Sequence, residues 1–168
     1  ERWLGRYGLG IPTEAQWEYA ARGGTATVWW AGDSVEDVYR AVDGRPGANL
    51  ADSTCRAMAE ALLSVFDDEF DDGYPFHAPA DACRPNGFGL HHVIGNVWEW
   101  CRDPSPDYHA AAPEGPDGYR DGLDRGSRTW RGGSFYSVAK RARSAVRLQG
   151  EIHDRRAVTG IRPVMMLR

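Results

Sequence analysis

Glycine and proline interrupt this chain so often that few long helical patterns fit between them. The 20 Gly, 10 Pro and 7 Trp of the 168 residues are unevenly placed and concentrate in short, turn-rich stretches. Both residue types punctuate regular backbone, so this texture predicts an irregular α+β architecture of short strands and two short helices. The length suffices for one core, and 42% hydrophobic residues match an ordinary soluble domain, so a single domain over 1–168 is expected. A formal charge of -4 leaves no basic surplus for holding phosphate backbones or anionic lipid, so nucleic acid is not an expected partner. No stretch nears the ~20 apolar residues of a membrane span, and Glu1-Arg2-Trp3-Leu4 is not a secretory signal. Cys55, Cys83 and Cys101 lie far apart without CxxC spacing, which indicates neither zinc nor a disulfide framework. Free thiols suit a reducing compartment and favour the cytoplasm.

Thr13-Glu14-Ala15-Gln16 opens a helix with a capping box, and Gly23 supplies a left-handed exit, so a helix is predicted over 14–22 with Trp17, Ala20 and Ala21 on its docked face. The chain then reads as loop from Trp30 to Asn49. A second helix is predicted over 54–66, with Met58, Leu62, Val65 and Phe66 on its buried side. An acidic run from Asp67 to Asp72 follows, for which a solvated loop is the plain reading. Residues 87–100 alternate glycine, aromatic and branched side chains as strands joined by tight turns do, and 103–127 read as a surface loop. Strands are expected over 129–135 and 159–166.

Three separated blocks carry a resemblance. Pro12 to Arg22 (PTEAQWEYAAR), Gly95 to Trp100 (GNVWEW) and Arg131-Gly132-Gly133-Ser134 occur in the order of the formylglycine-generating enzyme, or sulfatase-modifying factor, family. Asn86 to Leu90 and Gly160-Ile161-Arg162 extend the match over nearly the whole chain. The resemblance implies a variant of the C-type lectin fold. The family's opening strand and first helix have only a remnant around Trp3-Leu4 here, which suggests a missing N-terminal portion.

The resemblance further implies structural calcium, a hard cation that takes oxygen ligands. Its first site would use the side chains of Asn49 and Asp72 and the carbonyls of Leu50 and Tyr74; a plain loop is the alternative. A second site would use position 92, the carbonyls of Gly95 and Val97, and the Glu99 carboxylate. Position 92 is His92, whose imidazole suits softer metals, so this site is expected to be weak or empty, with Glu99 hydrogen-bonded locally.

Members of the family oxidise a cysteine in a sulfatase with copper(I) held between two thiolates downstream of Arg-Gly-Gly-Ser. In this chain Ser137 stands where the first thiol should be, and residues 135–143 contain no cysteine, so copper is not expected. A histidine-ligated iron, as in the sulfoxide synthase branch, lacks the necessary spacing among His77, His91, His92, His109 and His153.

A frame carrying varied side chains remains. Phe135, Tyr136, Ser137, Lys140, Arg141, Leu148, Gln149, Glu151 and His153 mix aromatic, charged and polar groups suited to recognition. Phe135, Tyr136, Leu148 and Gln149 are expected together on an exposed face, with Arg143 and Arg147 partly buried and bonded to carbonyls. This mixture resembles the variable proteins of diversity-generating retroelements. Two functions follow as expectations: a non-catalytic ligand- or protein-binding module, with a protein ligand favoured and a larger bacterial multidomain system as its setting, or a family oxidoreductase acting on protein cysteine with an altered or lost active site.

Overall fold

The computed structural model describes residues 2–61, 63–104, 113, 115–121 and 126–165. Two small elements, helix α1 (Arg2–Gly5) and strand β1 (Leu9–Gly10), precede the first capping motif. The expected remnant around Trp3 is therefore helical, with Leu4 buried. Helix α2 (Glu14–Arg22) then starts and stops where its sequence requires. Thr13 Oγ1 accepts the Gln16 N–H at 3.1 Å, Gln16 Oε1 accepts the Thr13 N–H at 2.9 Å, and Gly23 exits at φ 58°.

The stretch read as loop contains a five-residue helix, α3 (Val35–Tyr39), with Ser34 and Asp37 forming its capping box. Asp52 caps α4 (Ser53–Ala59) by accepting the Cys55 N–H at 3.0 Å. Four α-helices thus stand among the described residues where two were expected. The second of the expected helices is also shorter than predicted over 54–66. The Asp67 N–H donates to the Ala51 carbonyl at 2.8 Å, so residues 60–66 must turn the chain back and cannot prolong the helix. Met58 and Val65 are consequently 65% and 62% exposed, while Phe66 is half-buried beneath the Arg56 guanidinium; Leu62 lies outside the described residues.

The main sheet holds β2 (Trp98–Trp100), β3 (Ser127–Arg131), β4 (Leu148–Glu151) and β5 (Thr159–Gly160), in the order β4-β3-β2-β5. β3 is antiparallel to both neighbours, and β5 runs parallel to β2. β6 (Val164–Met165) pairs with β1 in a separate two-stranded sheet. Of the strands expected within 87–100, only the last three residues form one. β3 ends at Arg131, short of Phe135, because Gly132 and Gly133 take φ of 93° and 82° and break the extended run. The expected strand over 159–166 is two separate pieces, and the loop read over 103–127 lies partly outside the described residues.

One face of the sheet pairs Glu99 with Arg131 and receives α2; the other carries Trp100 directly opposite Trp130, with rings edge-on at 5.1 Å. Gly150 is required where β4 crosses this second face, since a Cβ there would lie 1.9 Å from Trp130 Cζ2. The core cluster gathers Trp17, Trp29, Val38, Leu50, Val93 and Ile94. No helix among the described residues is long and apolar enough to cross a membrane.

Candidate functional site

Burying a charge requires compensating partners, and the buried Arg131 has them at both terminal nitrogens, its Nε having none among the described residues. Its guanidinium lies over the Trp17 ring and pairs with Glu14 and Glu18 of α2. It also donates to the carbonyls of Ser144, Ala145 and Val146 at 2.9, 3.2 and 3.0 Å. Of the two arginines expected to be partly buried, Arg147 is so and pairs with the Glu14 carboxylate, whereas Arg143 is exposed. This network fixes the segment from Gly132 to Arg147 against α2 and determines which side chains can face outward.

Two positions expected on the recognition face are core. Phe135 is 2% exposed, with its ring 4.5–6.0 Å from those of Tyr136, His77 and Phe76. Its backbone N–H donates to the Asn96 carbonyl at 3.0 Å, which turns the residue inward after the glycine pair. Ser137 is also buried, and its Oγ accepts the Ser134 N–H at 3.1 Å as part of a tight turn. Tyr136 is half-buried. The others face solvent: Lys140 and Arg141 on a 3-10 turn, and Leu148, Gln149, Glu151 and His153 on β4 and just beyond it. β4 is the outermost strand of its sheet, and a groove of about 690 Å³ runs beside it, bringing Gln149, Glu151 and His153 together with Ile152, Asp154 and Arg156.

At the first implied calcium site Asn49, Leu50 and Asp72 are buried, and Tyr74 is half-buried. The Asp72 carboxylate accepts the Leu50 N–H at 2.7 Å and the Tyr74 N–H at 2.9 Å. Asp52, which accepts the Asp72 N–H at 2.5 Å, adds a second acidic group. Burial, and then the neighbouring Asp52, push the Asp72 carboxyl up to about 8. A cation would relieve both effects. Asn49 is fully buried, and its Oδ1 has no hydrogen-bond partner among the described residues. An orphaned amide oxygen beside an acidic loop fits a hard cation, and calcium's preference for mixed amide, carbonyl and carboxylate oxygens suits this donor set. Among the described residues no three His, Cys, Asp or Glu side chains gather as a metal cluster, so the charge at this site is modest.

The second implied site does not fit calcium. Glu99 Oε2 accepts from Trp17 Nε1 at 2.7 Å and Arg162 Nε at 2.9 Å, while Oε1 accepts from Arg162 Nη2 at 2.7 Å. A guanidinium already neutralises this carboxylate. His92 is hydrogen-bonded through Nε2 to the Pro79 carbonyl at 2.7 Å and offers no oxygen. The local role expected for Glu99 is the one its contacts describe.

A copper(I) site does not fit either, since it needs paired thiolates. Burial, reinforced by Asp52 and Asp72, raises the Cys55 thiol to about 11; burial raises Cys83 to about 12 and Cys101 well above its ordinary value. All three cysteines are free and buried. Sequence reading missed that Cys55 lies under the Ser134–Ser137 turn, its Sγ 3.5 Å from the Phe135 carbonyl. It also missed Asn96, which contacts Asn49 and Ala78. Its Gly-Asn context was the available signal, because asparagine tolerates the left-handed region in which it stands at φ 60°.

Comparison with known proteins identifies the scaffold. The family of sulfatase-modifying factor enzyme 1-like domains matches residues 1–167. The formylglycine-generating enzyme of Streptomyces coelicolor is 39% identical over 152 residues, 87% of this chain and 42% of that protein. That of Thermomonospora curvata is 37% identical over 170 residues, 95% of this chain and 49% of that protein. The chain thus spans less than half the length of these curated relatives. Among solved structures, Treponema denticola variable protein 1 superposes with a TM-score of 0.68 at 25% identity, covering 92% of this chain and 46% of that one.

Proposed function

We propose, because the chain belongs to the family of sulfatase-modifying factor enzyme 1-like domains, that it is a non-catalytic module of that scaffold which binds a protein ligand and holds one structural calcium ion. The observation that carries this reading is the division of the segment after Arg131-Gly132-Gly133-Ser134. Its inward half, Phe135 and Ser137, is spent on packing and on a turn, whereas its outward residues Gln149, Glu151 and His153 share one groove at a sheet edge. Such a mixture on a rigid frame supplies recognition, with aromatic and aliphatic anchors such as Tyr136 and Leu148 contributing most where a partner desolvates them. These positions can change without disturbing Arg131 and its carbonyl partners, which suits a diversified variable protein.

At the position where the family's enzymes carry their first thiol stands a buried serine, and the three cysteines are protonated and enclosed. Calcium would be held by Asn49, Leu50, Asp72 and Tyr74, where it supplies positive charge that fixes the loop. Sequencing the same locus across sibling strains is expected to show substitutions concentrated at Lys140, Arg141, Leu148, Gln149, Glu151 and His153. Changes spread evenly over the surface would overturn the diversified reading. Incubation with copper(I) and a sulfatase-type cysteinyl peptide is expected to yield no aldehyde; product that persists after replacement of Cys101 would restore the oxidoreductase reading.

A further inference from the structure

An amide side chain has two unlike ends, and at a hard-cation site only one of them is useful. Which end of Asn49 faces the calcium position depends on what holds the other. Nδ2 donates to the Phe76 carbonyl at 2.7 Å and to Asn96 Oδ1 at 3.3 Å, and Oδ1 is left buried without a partner among the described residues. Reversing the amide would set three oxygens against one another, so both acceptors select this orientation. Asn96 is in turn oriented by backbone. Its Oδ1 accepts the Ala78 N–H at 3.0 Å and its Nδ2 donates to the Ala78 carbonyl at 3.4 Å, so it cannot reverse without losing both bonds. The backbone of Asn96 is fixed against the same residue, since its N–H donates to the Asn49 carbonyl at 2.8 Å. Gly95 permits that approach, because a Cβ there would lie 2.0 Å from the Asn49 carbonyl oxygen.

We propose that Asn96 is a positioning residue for the cation: through a relay from Ala78 to Asn96 to Asn49 it keeps the Asn49 amide oxygen turned toward the calcium site. The proposal rests on the reading of that site as calcium-binding. It assigns a purpose to Asn96 that is separate from the strand β2 it precedes, and it makes the Gly95-Asn96 turn part of the site although the Asn96 side chain is not a ligand.

The test is calorimetric titration of calcium chloride into the chelator-treated full chain, as wild type, Asn96→Gly and Asn96→Asp. Glycine keeps the left-handed backbone and removes the acceptor; aspartate keeps an acceptor for both Asn49 Nδ2 and the Ala78 N–H. Wild type and Asn96→Asp are expected to bind calcium within a few-fold of each other, and Asn96→Gly at least tenfold more weakly. Equal affinity of Asn96→Gly and wild type, or an Asn96→Asp as weak as the glycine variant, would overturn the relay. A wild type that binds no calcium would instead overturn the calcium reading. A second measurement needs no cation. The Asn49 side-chain amide protons, followed by NMR in the calcium-free chain, are expected to be protected from exchange in wild type and Asn96→Asp. If Asn96→Gly does not fold, loss of this protection in Asn96→Asp would itself overturn the proposal.

Discussion

His92 stands in the left-handed region at φ 53°, uncommon for a residue other than glycine, and it is buried. Burial is the largest influence on its basicity and lowers it; His91 and Arg162 lower it further, while the Pro79 carbonyl and Asp81 act in the opposite direction. A histidine whose folded pKa lies below its unfolded value, about 6.5, contributes stability that is present above that pH and lost as pH falls toward the folded pKa. The contribution of His92 to the melting temperature is therefore expected to shrink on acidification below about pH 6.5, opposite in sign to that of the raised Asp72 carboxyl. His92→Asn, which suits the left-handed backbone, should remove that contribution, so that the curves of the two proteins diverge between pH 6.5 and 5. Parallel curves for the two proteins between pH 6.5 and 5 would show that His92 is not the group responsible. The neighbouring Glu99 illustrates a different balance, since the Arg162 guanidinium occupies both its oxygens.

Helix α2 shows how far local chemistry alone determines an element. Thr13 caps Gln16 and also donates its hydroxyl to the Asp117 carbonyl at 2.6 Å, so Thr13→Ala removes two interactions at a fully buried position. Loss of such a cap costs about 1–2 kcal/mol, which for a chain of this size lowers the melting point by roughly 2–8 °C. Thr13→Ser should recover most of it, and a melting point unchanged in Thr13→Ala would contradict the argument. The boundaries of α2 were legible because its cap, its amphipathic face and its glycine exit all lie within the segment. α3 was not, because five residues offer too short a pattern for periodicity. The length of α4 was hidden for another reason: Met58, Val65 and Phe66 have helical spacing, but the hydrogen bond from Asp67 to Ala51 turns the chain first. At the site, Asn49 and Asp72 were reached through family resemblance, whereas the orientation of Phe135 was not legible. Alternation gives opposite faces without saying which is inward, and the bond from Phe135 to the Asn96 carbonyl decides it.

Across the whole molecule, short strands and helices leave much of the chain to be held by side chains bonded to distant backbone. Asn86 donates to the carbonyls of Ala20 and Ala21 and accepts from Phe88 and Leu90. Asp103 accepts from the N–H groups of Glu14 and Arg120, and Arg131 gathers three consecutive carbonyls. The bonds from Asn86 to Ala20 and Ala21 and from Glu14 to Asp103 join segments far apart in sequence, so stability is spread over a few buried polar residues as well as the apolar core. The site proposed for calcium would belong to this set, because the Leu50 N–H to Asp72 bond already joins its two loops and a cation would add a further tie. A ligand bound only by the folded state stabilises by about 2.7 kcal/mol at a hundredfold excess over its Kd, equivalent to roughly 5–10 °C here. Thermal denaturation in calcium and in chelator should differ by that amount. Asp72→Asn should abolish the difference, since it removes the one carboxylate in the donor set while keeping an oxygen for one of the two N–H groups it accepts. A melting point indifferent to calcium in the wild-type chain would mean that the loop is held by its hydrogen bonds alone, with Asp72 kept protonated by its burial near Asp52.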